Sequence, residues 1–383
     1  MKILILTDGK AGHENQSRAF ARALGGESEI VSVRFKTKLH KLLSYVFDRI
    51  GIRTSALFTT PSTPQTIKPT NPQTNKPTNH QTNKPTNHQT NKPTNFDIVI
   101  GTGSGTFYAA KTIAAQIGAK CGVVLYPRGY DIASFDCILA PAFDRPPAAP
   151  NVLDIPANLV ASDAAFYEQG VADFKEHYRK TTASVQQQDN DATSSAEAPN
   201  TAANGSATPS AEAPSSIDGQ TEFGQCRIVA VIIGGPNKCS SLTPAWMREQ
   251  LERIFADNQP TSSDPRPVKF WTTTSRRTPS NVEAVVDSFP WDYKLIYSRD
   301  HFNPIPAFVS LANVLYVTAE STGMISEACT FGTAEVHALD NLNPGPHKFR
   351  RFVEDLIDGH YLDGCRKIDL SIQFAAARAL LTP

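Results

Sequence analysis

Short apolar runs alternate along this chain with turns of small residues and with segments of helical spacing. Residues 2–6 form the first run. Thr7-Asp8-Gly9-Lys10-Ala11-Gly12-His13 is a glycine-containing turn, and residues 14–24 carry Phe20 and Leu24 on one helical face before Gly25-Gly26. A second strand is expected at 30–35, which makes a βαβ opening and a parallel sheet. The pattern resumes with strands at 96–100, 121–125 and 135–140 and helices at 106–117 and 163–179. It then repeats with strands at 227–233, 267–271, 295–297, 314–317 and 334–339. Between these, helices are expected at 243–255, at 281–289, from an Asn303 N-cap with Pro304 at N1 to Leu311, and from Met324 to Phe331 with Gly332 as the stop. Residues 348–381 read as mostly helical.

Two stretches break this rhythm. In residues 59–95 the unit NKPTNHQT repeats with a period of eight, with four Lys, no acid and a Pro in each copy. Such a segment buries too little apolar surface to offset its ordering entropy, so it reads as a disordered insertion. Its His80 and His88 are read as part of that polar repeat rather than as metal ligands. Residues 181–222 are rich in Ser, Ala, Pro, Thr and Gln, with six acids and no base, and read as a disordered acidic linker. The expected organisation is therefore an α/β chain of two Rossmann-like domains facing across a cleft. The first is 1–180, with the insertion at 59–95. A linker at 181–224 leads to the second, 225–365, and a C-terminal helix at 366–383 returns to the first domain.

Composition narrows the partners. The 383 residues carry no formal net charge, which gives no reason to expect nucleic acid. Six scattered cysteines without a CxxC pair read as reduced core residues and fit a cytoplasmic setting. The first apolar run ends at Leu6, too short for a signal peptide, and no apolar run approaches the length of a membrane span. Residues 35–57 mix Lys and Arg with large apolar residues. They read either as a partly packed amphipathic helix or as a peripheral contact with the inner face of a membrane.

The candidate chemistry lies in the turns. In open parallel sheets ligands bind beyond the carboxyl ends of the strands, where every small-residue turn of this chain falls. After the strand at 314–317, Ser321, Thr322 and Gly323 lead into a helix whose N-terminal N–H groups suit a phosphate. Glu327, one turn further on, could accept from ribose hydroxyls or be a solvated helix residue. Gly234, Gly235 and Asn237 follow another strand and allow close backbone approach to a ligand. Ser275, Arg276 and Arg277 follow a third, where an arginine could hold a phosphate or merely be solvated. In the first half His13 and Asp8 are candidate bases for a hydroxyl, against helix-end and turn-forming alternatives. Gly9, Lys10, Gly12 and Gly103 are candidate acceptor or phosphate contacts. The turn Gly101-Thr102-Gly103-Ser104-Gly105-Thr106 lacks the acidic residue of a dinucleotide fingerprint. The dispersed histidines offer no metal-binding spacing, and no cofactor is expected beyond a nucleotide-sugar acting as substrate.

Five of these segments carry a resemblance: DGKAGHENQ at 8–16, IGGPNK at 233–238, TSRRTP at 274–279, NP at 303–304 and VTAESTGMISEA at 317–328. In order and spacing they resemble the bacterial and plant family named for elongated mitochondria, the mitochondrial-fission, GtrOC-like proteins. That family is similar to GT-B glycosyltransferases, most visibly the enzyme that adds N-acetylglucosamine to the lipid-linked peptidoglycan precursor. His13 matches the histidine ahead of the first helix there, and Ser326-Glu327 matches its Ser-Glu pair. The resemblance implies that Glu327 holds the ribose of a nucleotide-sugar, a UDP-sugar being favoured, and that the acceptor is lipid-linked or part of the cell envelope. It equally implies two alternatives. Plant members act in mitochondrial fission by recruiting a dynamin-like protein, so the scaffold could be a non-catalytic adaptor; nucleotide-sugar epimerases share the architecture.

Overall fold

A computed structural model describes residues 1–60, 96–194, 221–364 and 366–382. Most of the repeat at 59–95 and residues 195–220 of the expected linker lie outside the described residues. The chain forms two compact units, Met1–Ala161 with Asp369–Pro383, and Ser162–Ile368.

The first unit opens with β1 (Lys2–Thr7), α1 (Ala11–Leu24) and β2 (Glu27–Ser32). Next come β3 (Arg34–Phe35), α2 (Lys38–Arg49) and β4 (Phe58–Thr59). It continues with β5 (Ile98–Thr102), α3 (Phe107–Ile117), β6 (Lys120–Val124), β7 (Cys137–Pro141) and β8 (Val152–Ile155). Six strands form one parallel sheet in the order β2-β1-β5-β6-β7-β8, and β3 pairs with β4 antiparallel. Because side chains alternate along a strand, each strand feeds two cores. Ile3 and Ile5 join Ile98, Ile100, Phe20 and Leu24 on one face, while Leu4 and Leu6 join Val99, Phe107 and Tyr108 on the other. This double burial is why the strands read as unbroken apolar runs.

The two edges of that sheet depart from the expectation. The second strand lies at Glu27–Ser32 rather than 30–35, and pairs residue for residue with β1. Its Glu27, Ser28 and Glu29 carry no apolar signal, since an edge strand needs only its backbone ladder. The opposite edge, β8, has no counterpart in the sequence reading. Helix α1 begins at Ala11, three residues before the expected 14, so Gly12 and His13 lie in its first turn.

The second unit begins with α4 (Ala164–Ser194) and α5 (Thr221–Gly224). Then follow β9 (Arg227–Ile233), α6 (Pro244–Asp257), β10 (Val268–Thr274), α7 (Ser280–Asp287) and β11 (Tyr293–Leu295). It ends with α8 (Ile305–Leu311), β12 (Val314–Thr318), α9 (Thr322–Thr330), β13 (Glu335–Leu339) and α10 (Lys348–Asp358). Its parallel sheet has the order β11-β10-β9-β12-β13, the Rossmann arrangement. Thr243 caps α6 by accepting from the Trp246 N–H, and Pro244 follows at the first helical position. Helix α8 starts at Ile305, one residue later than expected, with Asn303 Oδ1 accepting from the Ile305 N–H.

The unit boundary falls at 161–162 rather than at 180, and aromatic packing explains it. Phe174 of α4 is fully buried against Trp271, Tyr293 and Phe308, with ring centroids 4.9, 4.8 and 5.9 Å away. The helix then runs on to Ser194, so the first part of the expected linker is helical. The C-terminal α11 (Ser371–Leu381) packs Ala377 and Leu381 into the first unit's core beside Phe20 and Leu24. The expected helical tail is therefore two helices, α10 and α11, belonging to different units. Phe174→Ala should destabilise the second unit by about 3–5 kcal/mol, the usual loss for a buried phenylalanine. Urea unfolding followed by tryptophan fluorescence, with Trp271 as neighbour, measures it.

Candidate functional site

The second unit's strand order reverses between β9 and β12, and their carboxyl ends open side by side there. Strand β9 is followed by Gly234-Gly235, both buried. The Gly234 N–H donates to Thr318 Oγ1 at 2.8 Å, which ties the end of β9 to the end of β12. A Cβ on Gly234 would fall on Glu320 Oε1 and the Ser321 hydroxyl, and one on Gly235 would fall on the Arg277 backbone. Only glycines allow three strand ends to meet this closely. Thr278 completes the junction by donating its hydroxyl to the Gly234 carbonyl at 2.6 Å and accepting from the Ser275 N–H.

Beneath the junction lies Glu320, 3% exposed. Its Oε1 accepts from the Thr318 and Ser321 hydroxyls at 3.1 and 3.0 Å, and its Oε2 from Asn341 Nδ2 at 2.8 Å. Three donors offset the cost of burying this carboxylate. The Ser321 hydroxyl is thereby turned onto Glu320 and does not cap α9. The first N–H groups of α9, at Thr322, Gly323 and Met324, have no intrahelical acceptor, as at any helix start. They carry the positive end of the helix, and Gly323 has open space beside it.

The remaining residues expected in this unit are placed unevenly. Arg276 and Arg277 are exposed just past β10, and their guanidinium groups have no hydrogen-bond partner among the described residues. Ser275 and Arg277 belong to the same turn, where the Arg277 N–H donates to Ser275 Oγ. Asn237 is a turn former: its Oδ1 accepts from the Cys239 N–H at 2.7 Å. Glu327 is half-buried on α9 and accepts from the Tyr167 hydroxyl of α4 at 2.8 Å. Burial pushes the Glu327 carboxyl above its ordinary value, and the Tyr167 hydrogen bond offsets only part of that. Burial, and then the Glu327 charge, push the Tyr167 hydroxyl up as well. Glu320 and Tyr167 are absent from the sequence expectation. Glu320 lies in the 317–328 segment with no pattern that marks it as buried, and Tyr167 lies far from Glu327 in sequence.

In the first unit the strand order reverses between β1 and β5, and their ends bring Asp8, His13 and the glycine-rich turn together. His13 Nδ1 lies 3.1 and 3.2 Å from the two Asp8 carboxylate oxygens. Gly103, with φ +81°, lies where a Cβ would strike the His13 ring, and a Cβ on Gly105 would strike Asp8. The glycine-rich turn therefore makes room for this pair. Burial pushes the Asp8 carboxyl up, but its Lys10 hydrogen bonds and the charges of His13 and Lys10 outweigh that, so it lies below the ordinary value. Lys10 is exposed and its Nζ reaches Asp8 at 2.7 Å. Gly9 donates its N–H to Thr7 Oγ1, and Gly12 is exposed with open space beside it. An ionised Asp8 holding Nδ1 leaves Nε2 of His13 available to accept a proton.

The sequence pattern that describes the mitochondrial fission ELM1 proteins matches residues 11–367. The chain belongs to the mitochondrial fission ELM1 family. No curated protein sequence matches this ELM1-family chain. Among solved structures it is similar to the UDP-GlcNAc 2-epimerase from Neisseria meningitidis bound to UDP-GlcNAc, at 11% identity and a TM-score of 0.40, over 99% of this chain and 98% of that one. The UDP-GlcNAc 2-epimerase of Methanocaldococcus jannaschii, in complex with UDP-GlcNAc and UDP, gives 10% and 0.40 over 100% and 93%. The glycosyltransferase SnogD from Streptomyces nogalater gives 11% and 0.33 over 100% and 92%. At these identities and scores the ligands of those proteins do not bear on the ELM1-family chain.

The Glu327 environment sets a pH dependence. A carboxyl whose folded value is raised binds its proton more tightly in the folded state. It therefore loses stability as pH rises from the ordinary 4.5 toward and through the folded value. Glu327→Gln should remove that loss, melting higher than the parent protein at neutral pH and no higher in acid. Thermal melts across that range decide it, and an equal shift at all pH values would contradict the assignment.

Proposed function

We propose that the second unit binds a nucleotide-sugar, a UDP-sugar being favoured, and that the protein transfers the sugar to a lipid-linked or cell-envelope acceptor without a metal. The observation carrying this reading is the convergence at the β9–β12 switch point. There the ends of β9, β10 and β12 close together around two buried glycines, α9 presents an uncapped N-terminus, and the Arg276 and Arg277 guanidinium groups on the β10 turn have no hydrogen-bond partner among the described residues. Diphosphate leaves in such a transfer, and its growing negative charge is met by N–H groups and guanidinium groups. The acceptor oxygen attacks the anomeric carbon, the bond from that carbon to the diphosphate breaks, and the hydroxyl proton passes to His13 Nε2. Asp8 holds the His13 ring and stabilises the imidazolium. In this reading Gly9, Lys10, Gly12 and Gly103 of the first unit serve as acceptor or phosphate contacts, and Glu327 of the second as the contact to the donor's ribose.

One observation favours a second reading. Tyr167 already occupies a Glu327 oxygen, and a carboxylate engaged within its own unit suits a scaffold that has kept the fold and lost the chemistry. The family's description, mitochondrial fission, agrees with such an adaptor. An epimerase would need acids and bases beside the donor sugar beyond those named above.

Nucleotide binding separates these readings. In thermal melts with UDP, GDP, ADP and CMP, one nucleotide at a hundred times its dissociation constant should add about 2.7 kcal/mol. Glu327→Ala and Arg276→Ala with Arg277→Ala should abolish most of that gain. Absence of any shift at millimolar nucleotide would leave the adaptor. His13→Gln should keep the nucleotide shift and lower transfer by roughly 10²–10⁴-fold. Nucleotide release from a radiolabelled donor, with and without a lipid-linked acceptor, is the readout, and release that needs no acceptor would point away from transfer.

A further inference from the structure

Nine large apolar side chains are exposed among the described residues, and five of them, Leu39, Leu42, Val46, Ile50 and Ile52, sit in one short segment. Leu39, Leu42, Val46 and Ile50 follow helical spacing, so they form one outward stripe along α2 and just past its end. They are 60, 62, 51 and 62% exposed. The helix is not loosely attached. On its inner side the buried Asp48 carboxylate pairs with Lys111, accepts from Arg53 at 3.0 Å and accepts from the Asp131 N–H at 2.7 Å. Ser44 shares a 2.8 Å hydrogen bond with the Tyr130 hydroxyl, and Tyr45 stacks on the Tyr130 ring at 4.5 Å. Packing is thus complete on one side while a row of leucine-sized groups faces out on the other.

Charge identifies what the row meets. Exposed Arg34, Lys36, Lys38 and Arg49 flank it, and the single acid in residues 34–53 is Asp48, which is turned inward. A second copy docking on this face would set cations against cations with no acid in the stripe to receive them. A surface with apolar depth and anionic headgroups matches both features, since lysine and arginine stems lie along apolar contacts while their charges reach phosphates. We propose that α2 and the residues that follow it to Ile52 form a docking surface for an anionic lipid bilayer. Lys41, on the same helix, donates to Ser104 Oγ at 2.9 Å in the glycine-rich turn that lies against Asp8 and His13. This contact lies on the inward face of α2, on the Asp48 side and away from the exposed stripe, and it further fixes the helix against the first unit.

Co-sedimentation of the full chain with vesicles tests this, using phosphatidylcholine alone and phosphatidylcholine with about one-third phosphatidylglycerol. The protein should sediment with the anionic vesicles and be released as salt rises. Leu42→Glu with Val46→Glu should lower that affinity by at least about tenfold with an unchanged melting temperature, because both side chains are exposed. Lys36→Glu with Lys38→Glu and Arg49→Glu should remove the preference for anionic lipid. Failure to bind either vesicle, binding that the Leu42/Val46 variant retains, or equal binding to both vesicle types would overturn the proposal. So would a dimer in sedimentation velocity that the same variant abolishes while vesicles go unbound.

Discussion

A parallel strand buried on both faces leaves the chain one place for polar side chains, beyond the strand ends. Both sheets obey this constraint. Ile3 to Leu6 and Ile228 to Ile233 give their side chains alternately to the two faces and leave no room for chemistry along their length. Strand order then decides which ends matter. Where it reverses, the loops part in opposite directions and the strand ends stay uncovered. Asp8 and His13 stand at one reversal and Gly234, Gly235 and Ser321 at the other.

The two carboxylates of the 317–328 segment show how burial divides labour. Glu320 is the deeper, and three donors surround it, so it works as a fixed acceptor that orients Thr318, Ser321 and Asn341. Turning the Ser321 hydroxyl downward has a consequence above it, because the α9 N-terminus is left without a side-chain cap. A helix start that forgoes its cap, which is commonly worth about 1 kcal/mol, keeps its N–H groups for another acceptor. Glu327 has one donor, Tyr167, and burial raises its carboxyl value. A single hydrogen bond is the easier arrangement to exchange for a ligand hydroxyl.

Much of this was legible in the sequence because parallel-sheet physics writes itself into short apolar runs and small-residue turns. The central strands and the glycine turns stand where those signals fall, and α9 starts at Thr322, two residues before the expected Met324. The edges were not legible: β2 is polar and β8 short, and each is held by a backbone ladder that leaves no pattern. Nor was the unit boundary, since the place of α4 depends on Phe174 meeting Trp271 and Tyr293, residues distant in sequence. Site details failed for the same reason. Gly103 reads in the sequence as an acceptor or phosphate contact, and only the fold shows that His13 lies against it and Asp8 against Gly105.

The Asp48–Lys111 pair shows why α2 has a fixed outer face. Both groups are buried, and burial pulls the Lys111 ammonium below its ordinary value while the Asp48 hydrogen bond and charge hold it up. Taking two charges out of water is costly, and such a pair is weak evidence for stability, though losing one partner strands the other. What the pair does fix is rotation. With Asp48 inward, helical geometry turns Leu39, Leu42, Val46 and Ile50 outward, and no rotation of α2 could bury that stripe without stranding Lys111. The apolar face is therefore the other side of a polar anchor. A chain with no use for an exposed leucine row could have placed polar residues there at little cost to the fold.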